Sequence, residues 1–237
     1  MIYRLILGCA VAAMAFTGAL ASVAADELLD HGAYLMNGIV ACGNCHNSRA
    51  PDGRFTEGGE LAGGFTIVEE AFTVRVPNIT PDKETGIGNW SDGEIITAIR
   101  DGIRPDGSLI GPPMPFSQYR DMSDRDVKAL VAYMRQVPAV SNKVGKSEYR
   151  IPLPPAWGPP VGSVADVSKD DPIAYGAYMA GPLGHCIEYH TPMVQGRFDF
   201  DRAFAGGLPL PVGPDTVLIT TNITLDVETG IGAWSDA

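Results

Sequence analysis

The chain has 237 residues, 45% of them hydrophobic and 19% charged, enough for one or two domains with real cores. A formal charge of −11 speaks against a nucleic-acid partner, which wants a basic face; the acidic surface either steers a basic partner or simply keeps the protein soluble. With 28 glycines and 19 prolines, short helices joined by long loops are expected.

The chain opens Met1-Ile2-Tyr3-Arg4, followed by an apolar run from Leu5 to about Phe16 and then Ala19-Leu20-Ala21-Ser22-Val23-Ala24-Ala25. A positive start, a short apolar run and small residues before Asp26 form an export signal over residues 1–25. Cleavage is expected after Ala25, with Ala21 and Ala24 as other sites. The alternative is an uncleaved membrane anchor, since the apolar residues nearly reach the length of a span. Cys9 leaves with the signal, so the exported chain keeps Cys42, Cys45 and Cys186.

Residues 26–41 read as a helix. Leu28, Leu35, Met36 and Ile39 fall on one face, and Glu27 and Asp30 lie near the start. Gly32 and Tyr34 are candidates for a close helix crossing; Tyr34 is equally a candidate for ordinary core. The helix delivers Cys42-Gly43-Asn44-Cys45-His46, which reads C-x-x-C-H, the attachment motif of a c-type haem. Each thiol forms a thioether to one porphyrin, and the adjacent histidine is held against the iron as its proximal ligand. Three blander readings compete. A thioredoxin-like pair would sit in a βαβ context, a structural zinc would need four N or S ligands, and a plain disulfide leaves His46 unexplained.

Residues 47–75 are glycine-rich loop, with a short extended piece near Phe72-Thr73-Val74, and Asn78-Ile79-Thr80-Pro81 and Thr85-Gly86-Ile87-Gly88 add turns. Ser91 and Glu94 form a capping box that opens a helix with Ile95, Ile96 and Ile99 on its apolar face. Trp90 packs either near a haem edge or in ordinary core. Gly111-Pro112-Pro113-Met114-Pro115-Phe116 presents Met114 on a stiff segment, because proline fixes φ. A thioether is a soft ligand suited to haem iron, and Met114 is the expected sixth ligand. Its rivals are Met122 and, on apolar helix faces where methionine is usually filler, Met36 and Met134. Ser123 caps a last helix carrying Val127, Leu130, Val131 and Met134, which stops at Val137-Pro138.

Residues 27–137 resemble a His/Met cytochrome c domain. The resemblance rests on Gly32 and Tyr34, Cys42-Gly43-Asn44-Cys45-His46, Asn78-Ile79-Thr80-Pro81, Gly86-Ile87-Gly88-Asn89-Trp90-Ser91, Pro112-Pro113-Met114-Pro115 and Leu130-Val131-Ala132-Tyr133-Met134. The combination is similar to the multi-domain cytochrome subunits of bacterial periplasmic dehydrogenases. It implies an all-α cytochrome c fold, short helices and long loops wrapped around haem. It also implies haem c held by Cys42 and Cys45, with His46 and Met114 on the iron, and a dehydrogenase as partner.

Residues 138–170 hold Pro138, Pro152, Pro154, Pro155, Pro159 and Pro160 and read as a linker or wrapping segment without its own core. A second copy then begins. Gly176-Ala177-Tyr178 repeats Gly32-Ala33-Tyr34, Asn222-Ile223-Thr224 repeats Asn78-Ile79-Thr80, and Thr229-Gly230-Ile231-Gly232 repeats Thr85-Gly86-Ile87-Gly88. Asp171-Pro172 supplies an N-cap and a first-turn proline. The copy departs from the pattern in two ways. Its motif is Cys186-Ile187-Glu188-Tyr189-His190, with tyrosine for the second thiol, and the equivalents of Met114 and the closing helix would fall beyond Ala237. Cys186 and His190 remain candidate cofactor-binding residues, with His190 as a metal ligand. A stable low-spin second haem is not expected, and Cys186 reads equally as a free thiol. The stop inside the repeat suggests a fragment or a gene cut short.

The expected organisation is therefore a signal at 1–25, a haem-bearing domain at 26–137, a proline-rich linker at 138–170 and a partial copy at 171–237. The expected function is electron transfer in the periplasm between a dehydrogenase and a terminal acceptor. No catalytic residue is required, and membrane association would come through a partner or an uncleaved N-terminus. The alternatives are a haem enzyme with an open distal site, such as a peroxidase or gas binder, and a non-haem thiol oxidoreductase using Cys42 and Cys45.

Overall fold

The structure, a computed structural model, describes residues 25–213 and 216–235. The expected export signal, residues 1–25, lies outside the described residues apart from Ala25. Among those described, no helix is long and apolar enough to cross a membrane. The chain divides into two compact units, Met1–Asp166 and Val167–Ala237.

In the first unit, α1 is helical over residues 25–37 and ends four residues earlier than its apolar pattern suggests. Asn37 Nδ2 donates back to the Ala33 carbonyl at 3.0 Å, and Gly38 follows. Val40 N then bonds Leu35 O at 3.1 Å and Ala41 takes a φ of 47°, a turn that aims the next residues away from the helix axis. α1 crosses α5 (Asp124–Gln136) at Gly32, where a β-carbon would overlap the Ala129 carbonyl. Tyr34 takes no part in that crossing: it is 58% exposed, stacked beside His31. Leu35, Met36, Val127, Ala129, Leu130, Val131 and Met134 are buried and make the core of the crossing.

α2 (Gly43–His46) is a single turn. β1 (Thr66–Val68) pairs antiparallel with β2 (Phe72–Arg75), Ile67 opposite Val74, and β3 (Glu148–Tyr149) adds to β2 with Tyr149 opposite Phe72. α3 (Asp92–Arg100) opens with the complete capping box: Ser91 N donates to Glu94 Oε2 at 2.7 Å, and Glu94 N donates to Ser91 Oγ at 3.3 Å. Its inward face is Ile95, Ala98 and Arg100, with Ile96 and Ile99 only half-buried. α4 (Phe116–Tyr119) is another single turn, and Ser123 caps α5 by accepting from Asp126 N at 3.2 Å. Val137 turns extended before Pro138, as the residue ahead of a proline prefers.

The proline-rich stretch lies against the first unit as far as Val164. Val140 and Asn142 bond to Thr80, Asn78 and Ala62, β3 joins the sheet, and Val164 N bonds Asp124 Oδ1 at 3.2 Å. Proline is no obstacle to such a wrap, because it needs few backbone donors.

The second unit holds α6 (Pro172–Tyr178), capped by Asp171 Oδ1 accepting from Ala174 N at 3.0 Å, and a π-helical turn, Met179–Leu183. α7 (Cys186–Tyr189) follows, then two hairpins: β4 (Met193–Val194) with β5 (Arg197–Phe198), and β6 (Pro209–Gly213) with β7 (Thr216–Ile219). Helices and short antiparallel pairs thus alternate, and the expectation of an all-α architecture holds only for the helical framework.

Many bonds of the first unit recur in the second. Thr80 N to Asn78 Oδ1 is 2.9 Å, and Thr224 N to Asn222 Oδ1 is 2.9 Å. Thr85 N to Asp82 Oδ1 and Thr229 N to Asp226 Oδ1 are both 2.7 Å. Packing differs: Val74 on β2 is 8% exposed, whereas Leu218 on β7 is 56% exposed. A β-carbon on Gly176 would meet nothing within 4 Å among the described residues.

Candidate haem site

The left-handed backbone of Ala41 starts α2 with Cys42 at its N-cap. His46 N bonds Cys42 O at 2.8 Å and Cys45 N bonds the same carbonyl at 3.2 Å. Residues three and four apart share a helix face, so one turn presents both thiols together. All three thiols, Cys42, Cys45 and Cys186, are free. Burial pushes the Cys42 thiol up to about 12, which keeps it as S–H. Burial also raises Cys45, and the nearby Arg49 guanidinium pulls the other way.

His46 is buried, and its Nδ1 lies 3.0 Å from the Pro77 carbonyl. A carbonyl only accepts, so the geometry assigns the hydrogen to Nδ1 and the lone pair to Nε2. Burial lowers the pKa of the ring and the Pro77 bond opposes that shift; the imidazole is therefore held neutral, the form that ligates metal. The following loop is tied back by Gly63 N to His46 O at 2.7 Å, Leu61 N to Asn47 Oδ1 at 2.8 Å and Ser48 Oγ to Gly63 O at 2.7 Å.

Arg49 fixes the outer edge. It donates to Asn44 O at 2.6 Å and Gly53 O at 3.0 Å, and its guanidinium lies 4.5 Å from the ring centre of Phe55 and 4.8 Å from that of Phe65. Sequence reasoning passed over Arg49 and the Pro77 carbonyl. A lone arginine in a glycine-rich loop and a backbone oxygen carry no pattern.

Met114 is half-buried in loop 111–115, just before α4. The rival methionines Met36, Met122 and Met134 are buried as core. Trp90 is half-buried, its carbonyl accepting from Arg135. The structure therefore brings Cys42, Cys45 and His46 together on one turn and sets Met114 on a separate loop. Cys186 and His190 sit on and just after α7 in the second unit. His190 Nδ1 lies 2.8 Å from Thr221 O, the counterpart of the His46 arrangement, and His185 has the left-handed φ of 39° that Ala41 has before Cys42.

Two thiols on one turn beside a neutral imidazole with Nε2 available suit covalent haem. Among the described residues no three His, Cys, Asp or Glu side chains group as a metal cluster would.

The chain is 31% identical to the gluconate 2-dehydrogenase cytochrome c subunit of Pantoea cypripedii, over 98% of this chain and 54% of that one. It is 31% identical to the alcohol dehydrogenase (quinone) cytochrome c subunit of Gluconobacter oxydans, over 99% and 50%. It is also 31% identical to a diheme cytochrome c-type protein of Cereibacter sphaeroides, over 80% and 66%. The chain belongs to the c-type cytochromes. No protein-family model matches it. The cytochrome spans about half the length of the first two curated relatives; its similarity to cytochrome c subunits implies the cytochrome c fold and covalently bound haem c in general terms.

Proposed function

We propose that this cytochrome is an exported electron carrier in the periplasm, taking electrons from a dehydrogenase and passing them to a terminal acceptor. In this reading Cys42 and Cys45 hold one haem c, and His46 and Met114 are its axial ligands. Residues 26–137 form the haem domain, 138–170 join it to the rest, and 171–237 repeat its opening pattern with Tyr189 in place of the second thiol, so that haem attachment there would rest on Cys186 and His190 alone. Haem iron, when bound, cycles between Fe(II) and Fe(III) and so handles one electron at a time.

The observation that carries the reading is the buried His46, oriented by the Pro77 carbonyl at 3.0 Å directly beside two free thiols on one helical turn. Each residue has a defined task. Cys42 and Cys45 would fix the group to the chain, the Pro77 carbonyl sets the tautomer of His46, and Met114 would supply a thioether donor to the iron. No proton has to move and no substrate has to be oriented, so no catalytic residue is required. The dehydrogenase partner is proposed from the names of the relatives. The peroxidase or gas-binding reading and the thiol oxidoreductase reading gain nothing from those relatives.

The test is covalent haem staining on a denaturing gel. Matured protein is expected to stain, and a Cys42→Ala/Cys45→Ala variant to lose the stain. Unstained mature protein with Cys42 and Cys45 open to alkylation would sink the proposal.

A further inference from the structure

Loop 111–115 is short and rich in proline, yet what holds it comes largely from far along the chain. Tyr149 Oη donates to Pro112 O at 3.1 Å. The Tyr149 ring lies so close to Gly111 that a β-carbon there would overlap it. Trp157 Nε1 donates to Ile110 O at 2.9 Å, and its ring sits 4.4 Å from that of Phe116. Gly102, with a φ of 65°, makes room for the indole. Residues 110, 111, 112 and 116 flank Met114 on both sides, and all four are gripped from the stretch 139–164.

The same stretch reaches the histidine side. Val140 O accepts from Asn78 Nδ2 at 2.8 Å, and Asn142 Nδ2 donates to Ala62 O at 2.8 Å. Asn78 directly follows Pro77, whose carbonyl faces His46. The far end is fastened by Ser163 Oγ to Asp124 Oδ2 at 2.7 Å and by Asp124 N to Val164 O at 2.9 Å.

We infer that residues 139–164 are a strap that sets the sixth ligand, with Tyr149 and Trp157 as positioning residues for Met114. The inference rests on the reading of Met114 as a ligand of the iron. The need for a strap follows from the ligand. A thioether is a neutral, weak donor on a flexible side chain, so its occupancy of the iron depends on how firmly its backbone is held. Burial raises the Tyr149 hydroxyl above its ordinary pKa, with the Arg104 charge opposing, which favours the protonated form that donates to Pro112 O.

The test uses full-length haem-loaded protein and the weak long-wavelength absorption band that a methionine–iron bond gives in the oxidised state. Raising the pH brings hydroxide into competition for the iron, so the pH at which the band fades reads how firmly Met114 is held. Tyr149→Phe and Trp157→Phe each keep a ring and delete one donor, worth roughly a fivefold shift in that competition. The double variant is expected to lose the band at a pH lower by about one unit or more, and its reduced form to bind CO where the parent resists it. Tyr149→Phe alone, which removes a single hydroxyl, is expected to show about half that shift. If the parent shows the band, Met114→Ala abolishes it, and the double variant fades at the parental pH, the strap has no such role although the ligand reading stands. A parent without the band overturns the Met114 assignment and this inference with it.

Discussion

At the scale of single residues, the site depends on side chains that satisfy several needs at once. Arg49 is the clearest case. Its Nη atoms complete the Asn44 and Gly53 carbonyls, and its guanidinium plane fills the space between Phe55 and Phe65. Phe55 is itself 52% exposed, so the arginine also shields a ring that would otherwise meet water on both faces. Arg49→Ala removes the stack and leaves two carbonyls to find water. The expected destabilisation is about 2 kcal/mol, the sum of a partly exposed cation–π contact and the hydrogen bonds it anchors. Urea unfolding of the matured protein measures it. A change below about 0.5 kcal/mol, typical of an ordinary surface substitution, would show that Arg49 is only decoration. Arg49→Lys is expected to recover little, since a point ammonium cannot stack flat between two rings.

At the scale of elements, the N-terminus of α5 is where ties from several parts of the first unit converge. His31 on α1 meets Asp126 at 2.6 Å, and Arg100 on α3 meets Asp124 at 2.7 Å while also donating to Met122 O. Ser163 and Val164 on the strap reach the same Asp124. Hydrogen bonds from Ser163, from Arg100 and from Val164 N, in that order, hold the Asp124 carboxyl well below the usual carboxylate range. A depressed folded value means that the group stabilises the fold when ionised. That stabilisation is complete above the unfolded value of about 3.9, starts to fall below it, and disappears only as the pH drops through the much lower folded value. Asp124→Asn is therefore expected to lower the urea midpoint at pH 7 and to lower it by less at about pH 3, the difference shrinking further in stronger acid. An equal difference at both pH values would mean that ionisation of Asp124 is not what matters. Local patterns anticipated the starts of α5, α3 and α6 well, because Ser123, Ser91 with Glu94 and Asp171-Pro172 act on their own next few residues. The strap's grip was not legible. Tyr149 opposite Phe72 and Trp157 against Phe116 join residues far apart in the chain, and β3 is only two residues long, too short to leave a period-two pattern.

At the scale of the whole molecule, the two units share much of a backbone plan, and one difference falls inside the haem motif itself. Gly63 and Gly64 have positive φ of 70° and 92°, and Gly206 and Gly207 have 72° and 85°. Gly63 N bonds His46 O at 2.7 Å, and Gly206 N bonds His190 O at 2.7 Å. The histidines are oriented alike, by Pro77 O and Thr221 O. Where Cys45 stands in the first unit, the second has Tyr189, 45% exposed, its ring 5.5 Å from that of His185. Thioether formation adds a thiol S–H across a vinyl C=C. The sulfur bonds one vinyl carbon, the hydrogen goes to the other, and no electrons are gained or lost. Cys186 alone could make one such bond, but without the thiol adjacent to the histidine the C-x-x-C-H pattern that directs attachment is incomplete. Matured wild-type protein is therefore expected to carry a single covalent haem, counted by intact mass. Tyr189→Cys restores the C-x-x-C-H order in front of a histidine already held at 2.8 Å by its carbonyl, and is expected to add a second haem to the mass. Cys186→Ala in the Tyr189→Cys background should remove that second increment and leave the first untouched. Two haems on the wild type, or a Tyr189→Cys protein that stays at one, would show that something other than the missing thiol decides what the second unit can hold.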